Sequence, residues 1–285
     1  MPETGKARVF GICGHPLAQS LSPVLHTWAM AANGIPGSFG TWDTPPGDLA
    51  SFVRALRETP YDGSCVTIPH KETVMPLLDA LTATAKAIGA VNTLFWENGR
   101  LTGHNTDMEG FIAPLRNLPP PGTALLLGAG GAARAVLAGL AALGAPRAVI
   151  CARSRDRTDA LIRDFSSSFT SLTCLPWEKR HAFSAGSSLW AVNTTPLGMR
   201  GKAEGESPMD AAWFAKARPA SDNLAYDLVY NPLETAFLSQ AKRAGWQTRD
   251  GLGMFIAQAA AQFRLWTGRE MAVAEARAVL APHLG

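Results

Sequence analysis

Cysteine is scarce in this 285-residue chain. The four present, Cys13, Cys65, Cys151 and Cys174, form no C-x-x-C pair and have no histidine at ligand spacing, so neither a zinc site nor a disulfide framework is signalled. Reduced thiols, and with them a cytoplasmic location, are the expectation. Charge is sparse too: charged residues make up 17% of the chain, the formal net charge is +3, and no block of like charges concentrates it. Neither nucleic acid nor a membrane surface is therefore indicated as a partner. The segment from Met1 to Arg8 lacks the apolar stretch of a secretory signal. The apolar region from Ala124 to Ile150 is interrupted by a glycine cluster, Arg134, Pro146 and Arg147, which rules out a spanning helix and leaves a buried core segment. No internal repeat is evident.

What is present is a chain 47% hydrophobic, long enough for two domains with a core each. Its clearest signal is Leu125-Leu126-Leu127-Gly128-Ala129-Gly130-Gly131-Ala132-Ala133-Arg134. An apolar strand runs into a glycine turn and then into a helix-forming stretch. Gly128 and Gly130 allow a tight turn and close backbone approach to a pyrophosphate, and small Ala133 lets the helix lie on the strand. Free N–H groups of Gly131 and Ala132 at the helix start would face the anion. The context fits: Thr123 to Leu127 reads as a strand, Ala132 to Leu143 as a helix, Gly144 as its stop and Arg147 to Cys151 as the next strand. That strand ends in Ala152-Arg153-Ser154-Arg155-Asp156-Arg157. A carboxylate at this tip selects a ribose 2′-hydroxyl and an arginine accommodates a 2′-phosphate, so Arg153 at the tip, with Arg155 and Arg157 close behind, favours NADP over NAD. Asp156 reads as a helix-start residue.

Before this unit the chain reads strand (Arg8–Cys13), helix (Val24–Ala32), strand (Phe39–Trp42), helix (Asp48–Leu56), strand (Gly63–Ile68), a small α/β sheet. Candidate chemistry falls at strand ends. Ser22 is placed as a helix N-cap before Pro23, whereas Ser20 has no such structural reason to be there. Lys71, just past the third strand where ligands gather in such sheets, is by its local sequence more often a solvated charge than a ligand group, and Thr67 is similarly ambiguous. A helix at Ala83–Ile88 precedes a hairpin with Glu97-Asn98-Gly99 at its turn. Then come Asn105-Thr106-Asp107 and an apolar-periodic run from Phe111 to Leu118; Asp107 either serves a helix start or presents a carboxylate to a ligand. Further strands at Leu189–Asn193, Leu224–Val229 and Trp246–Thr248 are followed by Thr194-Thr195-Pro196, Tyr230-Asn231-Pro232 and Gly251-Leu252-Gly253-Met254. Helices at Ala236–Ala244, Phe255–Trp266 and Ala272–Leu280 complete the reading. Gln258, a lone amide among alanines, fits a solvated helix position or a ligand contact.

Taken together, Ser20-Leu21-Ser22-Pro23, Val66-Thr67-Ile68-Pro69-His70-Lys71-Glu72, Gly89-Ala90-Val91-Asn92-Thr93, Asn105-Thr106-Asp107, Gly128 to Arg134, Asn193-Thr194-Thr195, Tyr226-Asp227-Leu228-Val229-Tyr230 and Asp250 to Met254 with Gln258 resemble the shikimate dehydrogenase family in order and over nearly the whole chain. The resemblance implies an α/β fold of two domains. Residues 1–106 and 251–285 would form the substrate domain, and 107–250 an inserted Rossmann-type NADP domain. It implies reduction of 3-dehydroshikimate to shikimate by NADPH. Ser20 and Ser22, helped by Tyr226, would bind the substrate carboxylate. Thr67, Asn92, Asp107 and Gln258 would hold ring hydroxyls, and Lys71 would pair with Asp107 at the reacting oxygen. Gly128, Ala129, Gly130, Gly131 and Ala132 with Arg153, Ser154, Arg157, Asn193, Thr194, Thr195, Gly251 and Met254 would line the cofactor, and no metal is implied.

The chain departs from the family pattern at His15, Gln19, Cys65, Met108, Ala152 and Ser154. Cys65 stands where an asparagine usually precedes Val-Thr, which weakens hydrogen-bond support behind Thr67. These departures leave room for quinate as substrate or NAD as cofactor, and a non-catalytic NADP-binding sensor of the same fold is the reading from another class. A monomer or a homodimer is compatible with the sequence.

Overall fold

The computed structural model describes residues 6–18, 20–59, 61–185, 188–216 and 222–284; Gln19 lies outside them. The chain divides into two compact units, 1–110 with 256–283, and 111–255 with the last two residues.

The first unit is built on a mixed sheet of six strands: β1 (Arg8–Gly14), β2 (Gly37–Asp43), β3 (Gly63–Val66), β4 (Ala80–Leu81), β5 (Thr93–Glu97) and β6 (Arg100–His104), in the order β2-β1-β3-β5-β6-β4. β2, β1 and β3 run parallel, β5 and β6 form an antiparallel hairpin, and β4 joins β6 in parallel. Asn98 and Gly99 close the hairpin with φ of 52° and 74°, the conformation that the Asn-Gly pair supplies most readily. One face of the sheet buries Cys13, Val53, Leu56, Val66, Val91 and Leu94. On the other, Phe10 stacks on Trp266 at 4.9 Å and His26 on Phe39 at 4.7 Å. Trp266 donates its indole N–H to Leu94 O at 2.9 Å, so the end of the helix Leu252–Thr267 is part of this unit's core.

The second unit carries a parallel sheet: β7 (Thr123–Leu127), β8 (Arg147–Ala152), β9 (Ser171–Pro176), β10 (Leu189–Asn193), β11 (Leu224–Asp227) and β12 (Gln247–Arg249), in the order β12-β11-β10-β7-β8-β9. Counted from β7, this is the 3-2-1-4-5-6 order of a doubly wound dinucleotide fold, with its switch point between β7 and β10. Both faces are covered, as a parallel sheet requires: Ala124, Leu126, Trp190 and Val192 face one core, and Leu125, Leu127, Leu189 and Ala191 the other.

Several boundaries differ from the sequence expectation for local reasons. β3 stops at Val66 rather than Ile68, where His70 N turns back to Thr67 O at 2.9 Å. β11 stops at Asp227 rather than Val229, because Val229 N donates to the Asp227 side chain at 3.0 Å, an Asx turn. The helix expected over Phe111–Leu118 runs over Asp107–Ile112 and tightens into a 3₁₀ turn at Ala113–Leu115. The units part at 110/111 and 255/256, within helices, where the sequence reading set the joints at 106/107 and 250/251. The first turn after Asn105 stays with the first sheet, since Arg264 bonds Glu109 at 3.4 Å. The turn after Gly251 stays with the second, since Phe255 stacks on Tyr230 at 4.5 Å.

Candidate active site

In the first unit the polar residues after β6 fold into one network. Asn105 anchors its amide on Ala90 O at 2.9 Å and accepts the backbone N–H of Asp107 at 3.0 Å, so the cap of this helix is Asn105 and the Asp107 carboxylate is released from capping. That carboxylate accepts from Lys71 Nζ at 2.5 Å and from Asn92 Nδ2 at 2.9 Å. The Lys71 and Asp107 side chains are 15% and 6% exposed, which removes the solvated-charge reading of Lys71. An ion pair this shielded is held only when its remaining lone pairs and protons find partners. Asn92, itself buried, also reaches Thr106 Oγ1 at 2.9 Å and Gln258 Oε1 at 3.3 Å, while its own Oδ1 accepts from Thr106 N at 2.8 Å. Lys71, Asp107, Asn92 and Gln258 are thereby brought together.

The turn that carries Lys71 is fixed at its base. The buried His70 donates Nε2–H to Thr44 O at 2.6 Å, and Val91 N donates to Lys71 O at 2.7 Å. Thr67 is half-buried, and its methyl fills the space a side chain at Gly14 would need. The sequence reading of Ser22 as an N-cap is corrected: Leu21 occupies that position without a side-chain bond, and Ser22 is already helical and buried. Ser20 Oγ instead lies 3.4 Å from Ser22 N as its acceptor. Cys65 supports Gln262 rather than Thr67, its thiol donating to Gln262 Oε1 at 3.2 Å. Burial pushes that thiol well above the ordinary cysteine range, and the Asp107 charge adds to the shift.

In the second unit the turn after β7 is shaped for close backbone approach. Gly128 has φ of 113°, and a Cβ there would fall 2.5 Å from Thr194 Oγ1, so glycine is demanded by the fold. At Gly130 a Cβ would meet nothing within 4 Å; the space in front of it is open. The helix Gly131–Ala142 begins there with no side-chain cap, so its first N–H groups lack a protein side-chain acceptor and suit a phosphate. Beyond β8, Arg153 and Arg157 are exposed. Ser154 caps the helix Arg155–Phe165 by accepting from Arg157 N at 3.5 Å, and Asp156 lies in that helix's first turn. These features fit a dinucleotide bearing a 2′-phosphate.

The loop after β10 corrects the expectation for Asn193. Its side chain is fully buried and holds the loop together: Nδ2 donates to Asp227 Oδ1 at 2.9 Å and Leu197 O at 3.1 Å, and Oδ1 accepts from Thr195 Oγ1 at 2.6 Å. Thr194 Oγ1 donates to Leu127 O at 2.8 Å. Asn193 is thus a brace for Thr194 and Thr195, which remain partly exposed. Asp227, wholly buried, is pushed up to about 7 by desolvation, against the hydrogen bonds from Thr235, Val229 and Asn193 that favour its charge.

Tyr226 does not reach a ligand-facing surface. Its ring is fully buried beside Leu224 in the core of the unit, stacked on Phe111 at 5.2 Å. The parity of the strand carries the signal that places it there, since Tyr226 shares its face with Leu224. Tyr230 lies past the strand end, half-buried. Gly251 is buried, and a side chain there would meet Leu228 O at 2.3 Å. Met254 is 7% exposed and packs in the same core as Tyr226. Among the described residues no group of three His, Cys, Asp or Glu side chains is arranged to hold a metal, and no helix is long and apolar enough to cross a membrane.

A doubly wound parallel sheet with a glycine turn at its switch point, joined in one chain to a mixed sheet of equal strand number, defines an α/β protein of the Rossmann class. Residues 12–94 match the shikimate dehydrogenase substrate binding domain and residues 251–281 the shikimate 5′-dehydrogenase C-terminal domain. The NADP(+) shikimate dehydrogenase of Oleidesulfovibrio alaskensis is 48% identical over 97% of this chain and 96% of its own. Shikimate 5-dehydrogenase from Thermus thermophilus, solved in complex with NADP(H) and shikimate, superposes with a TM-score of 0.82 at 36% identity, over 97% of this chain and all of that one. Quinate dehydrogenase from Corynebacterium glutamicum, in complex with NAD, gives 0.85 at 29% identity over 98% of this chain and all of that one. The chain belongs to the shikimate dehydrogenase family.

Proposed function

We propose that this chain catalyses the reversible, NADPH-dependent reduction of 3-dehydroshikimate to shikimate, a step of chorismate and aromatic amino acid biosynthesis, in the cytoplasm and as a monomer or homodimer. The observation that carries the reading is the shielded Lys71–Asp107 pair with Asn92 and Gln258 on its flank, in a chain whose NADP(+)-dependent relative is 48% identical. NADPH supplies the hydride when bound. Hydride arrival at a ketone carbon leaves negative charge on its oxygen. The Lys71 ammonium stabilises that charge and donates the proton, so that ketone, hydride and proton balance to an alcohol. Asp107 keeps the ammonium in place and Asn92 keeps Asp107 in place.

Selectivity belongs to the polar side chains gathered at this pair. Thr67, Asn92, Asp107 and Gln258 hold ring hydroxyls, and an analogue that lacks one leaves buried polar groups unpaired, a penalty that reaches on the order of 10⁴-fold in favourable sites. Ser20 and Ser22 take the carboxylate. In the second unit the amides from Ala129 to Ala132 take the pyrophosphate, Arg153 and Arg157 take the 2′-phosphate with Ser154 holding their helix start, and Gly251 and Met254 lie toward the nicotinamide. Initial rates with shikimate and quinate, each with NADP+ and NAD+, test the proposal. Shikimate with NADP+ is expected to give the highest kcat/KM of the four. A preference for quinate or NAD+ would refute the assignment of substrate or cofactor, and absence of turnover beside tight NADP+ binding would indicate a sensor.

A further inference from the structure

Gln262 lies one helical turn beyond Gln258 on the helix Leu252–Thr267, so the two side chains emerge on the same face. They grip one residue from opposite ends. Gln258 Oε1 accepts from the Asn92 side chain at 3.3 Å, and Gln262 Nε2 donates to the Asn92 backbone carbonyl at 3.0 Å and to Thr93 Oγ1 at 3.1 Å. Thr93 Oγ1 in turn donates to Asn92 Oδ1 at 2.8 Å. Gln262 is 1% exposed, and its remaining oxygen accepts the Cys65 thiol at 3.2 Å. Every polar atom of a buried carboxamide is therefore engaged, and both bonds of its amide nitrogen go to Asn92 and its neighbour Thr93. A glutamine in this position has no solvated alternative, since an unsatisfied buried amide is costly.

We propose that Gln262 is a positioning residue for the reaction: with Cys65 it fixes Asn92, and through Asn92 it fixes the Asp107 carboxylate that holds Lys71. The inference rests on the reading of the chain as a shikimate dehydrogenase. It also accounts for Cys65. The family resemblance implies an asparagine at that place, and here a carboxamide comes from the facing helix, with Gln262 Oε1 3.2 Å from the Cys65 sulfur. The role is transmitted through hydrogen bonds, so it is separable from packing by a substitution that keeps volume and removes the amide.

Gln262→Met is that substitution. The expected result is a fall of about tenfold in kcat/KM for shikimate, with KM for NADP+ unchanged within twofold. The loss is expected in kcat, with KM for shikimate changed by less than kcat. Cys65→Asn combined with Gln262→Ala returns a carboxamide from the opposite side and is expected to recover most of the loss that Gln262→Ala shows alone. A Gln262→Met variant with the parent's kcat and KM would overturn the proposal. So would a variant that loses shikimate and NADP+ affinity together while the double substitution brings no recovery, since that pattern marks general damage to the fold. A parent without shikimate turnover would remove the underlying reading and this inference with it, whereas a competent parent with an indifferent variant removes this inference alone.

Discussion

Single residues set the pH response of each unit, and they do so with opposite sign. His26 is buried between Phe39 and Trp266, and desolvation depresses it to about 3 from 6.5, against a hydrogen bond to Gln262 that favours its charge. Between these values the unfolded chain holds a proton the folded chain refuses, so the stability is complete above about 6.5 and falls as the pH drops toward 3. His26→Phe keeps a flat ring in the stack and is expected to flatten this acid slope, by at most about 1.4 kcal/mol per pH unit, in urea midpoints collected across pH. Asp227 is raised from 3.8 to about 7, so the folded state holds the extra proton and stability declines as the pH climbs through that interval. Asp227→Asn should therefore gain on the parent from about pH 4 to 7 in the same measurement, and parallel profiles would contradict the assignment. At this scale the sequence was only partly legible. Ser22 before Pro23 has every mark of an N-cap, yet the chain enters its helix a residue earlier. A residue type does not reveal which way its side chain turns. Tyr226 was readable by strand parity, and the weight given to its motif concealed it.

At the scale of elements the glycine turn makes the sharpest contrast. Gly128→Ala sets a Cβ against Thr194 at a φ of 113° and is expected to destabilise the unit by about 1–3 kcal/mol. Gly130→Ala meets open space with an extended backbone, so its melting temperature should match the parent. Its NADP+ affinity should nonetheless fall, because the added methyl occupies the approach proposed for the pyrophosphate. Calorimetric titration beside thermal melts separates the two effects, and unchanged affinity in Gly130→Ala would disprove the phosphate role of this turn. Strong patterns made β7, β10 and the Asn98-Gly99 hairpin readable from sequence, since each joins apolar periodicity to a turn residue. β9 was not readable: it is an edge strand whose residues are exposed or half-buried, so no alternation marks it. β4 contributes two residues and is created only by pairing with β6.

For the molecule as a whole, a net charge of +3 is too small to draw a polyanion by itself, so phosphate preference is expected to be local to Arg153 and Arg157. Replacing both with alanine should lower kcat/KM for NADP+ at least tenfold, leave NAD+ within twofold, and weaken the salt dependence of NADP+ binding. An equal loss with both cofactors would contradict that role. The two-part organisation was legible because the family motifs are dispersed along the chain in order. The junctions were not, because they fall inside helices and are set by which sheet each turn contacts, through Glu109 with Arg264 and Phe255 with Tyr230. The central claim is that Lys71, held by Asp107, delivers the proton to the reacting oxygen, and Lys71→Met tests it most directly. Steady-state shikimate oxidation and equilibrium NADP+ binding are measured on the same folded protein. The expected result is a kcat lowered by about 10²–10⁴-fold with the NADP+ dissociation constant unchanged within twofold; a variant that turns over shikimate at the parent's rate would contradict the account.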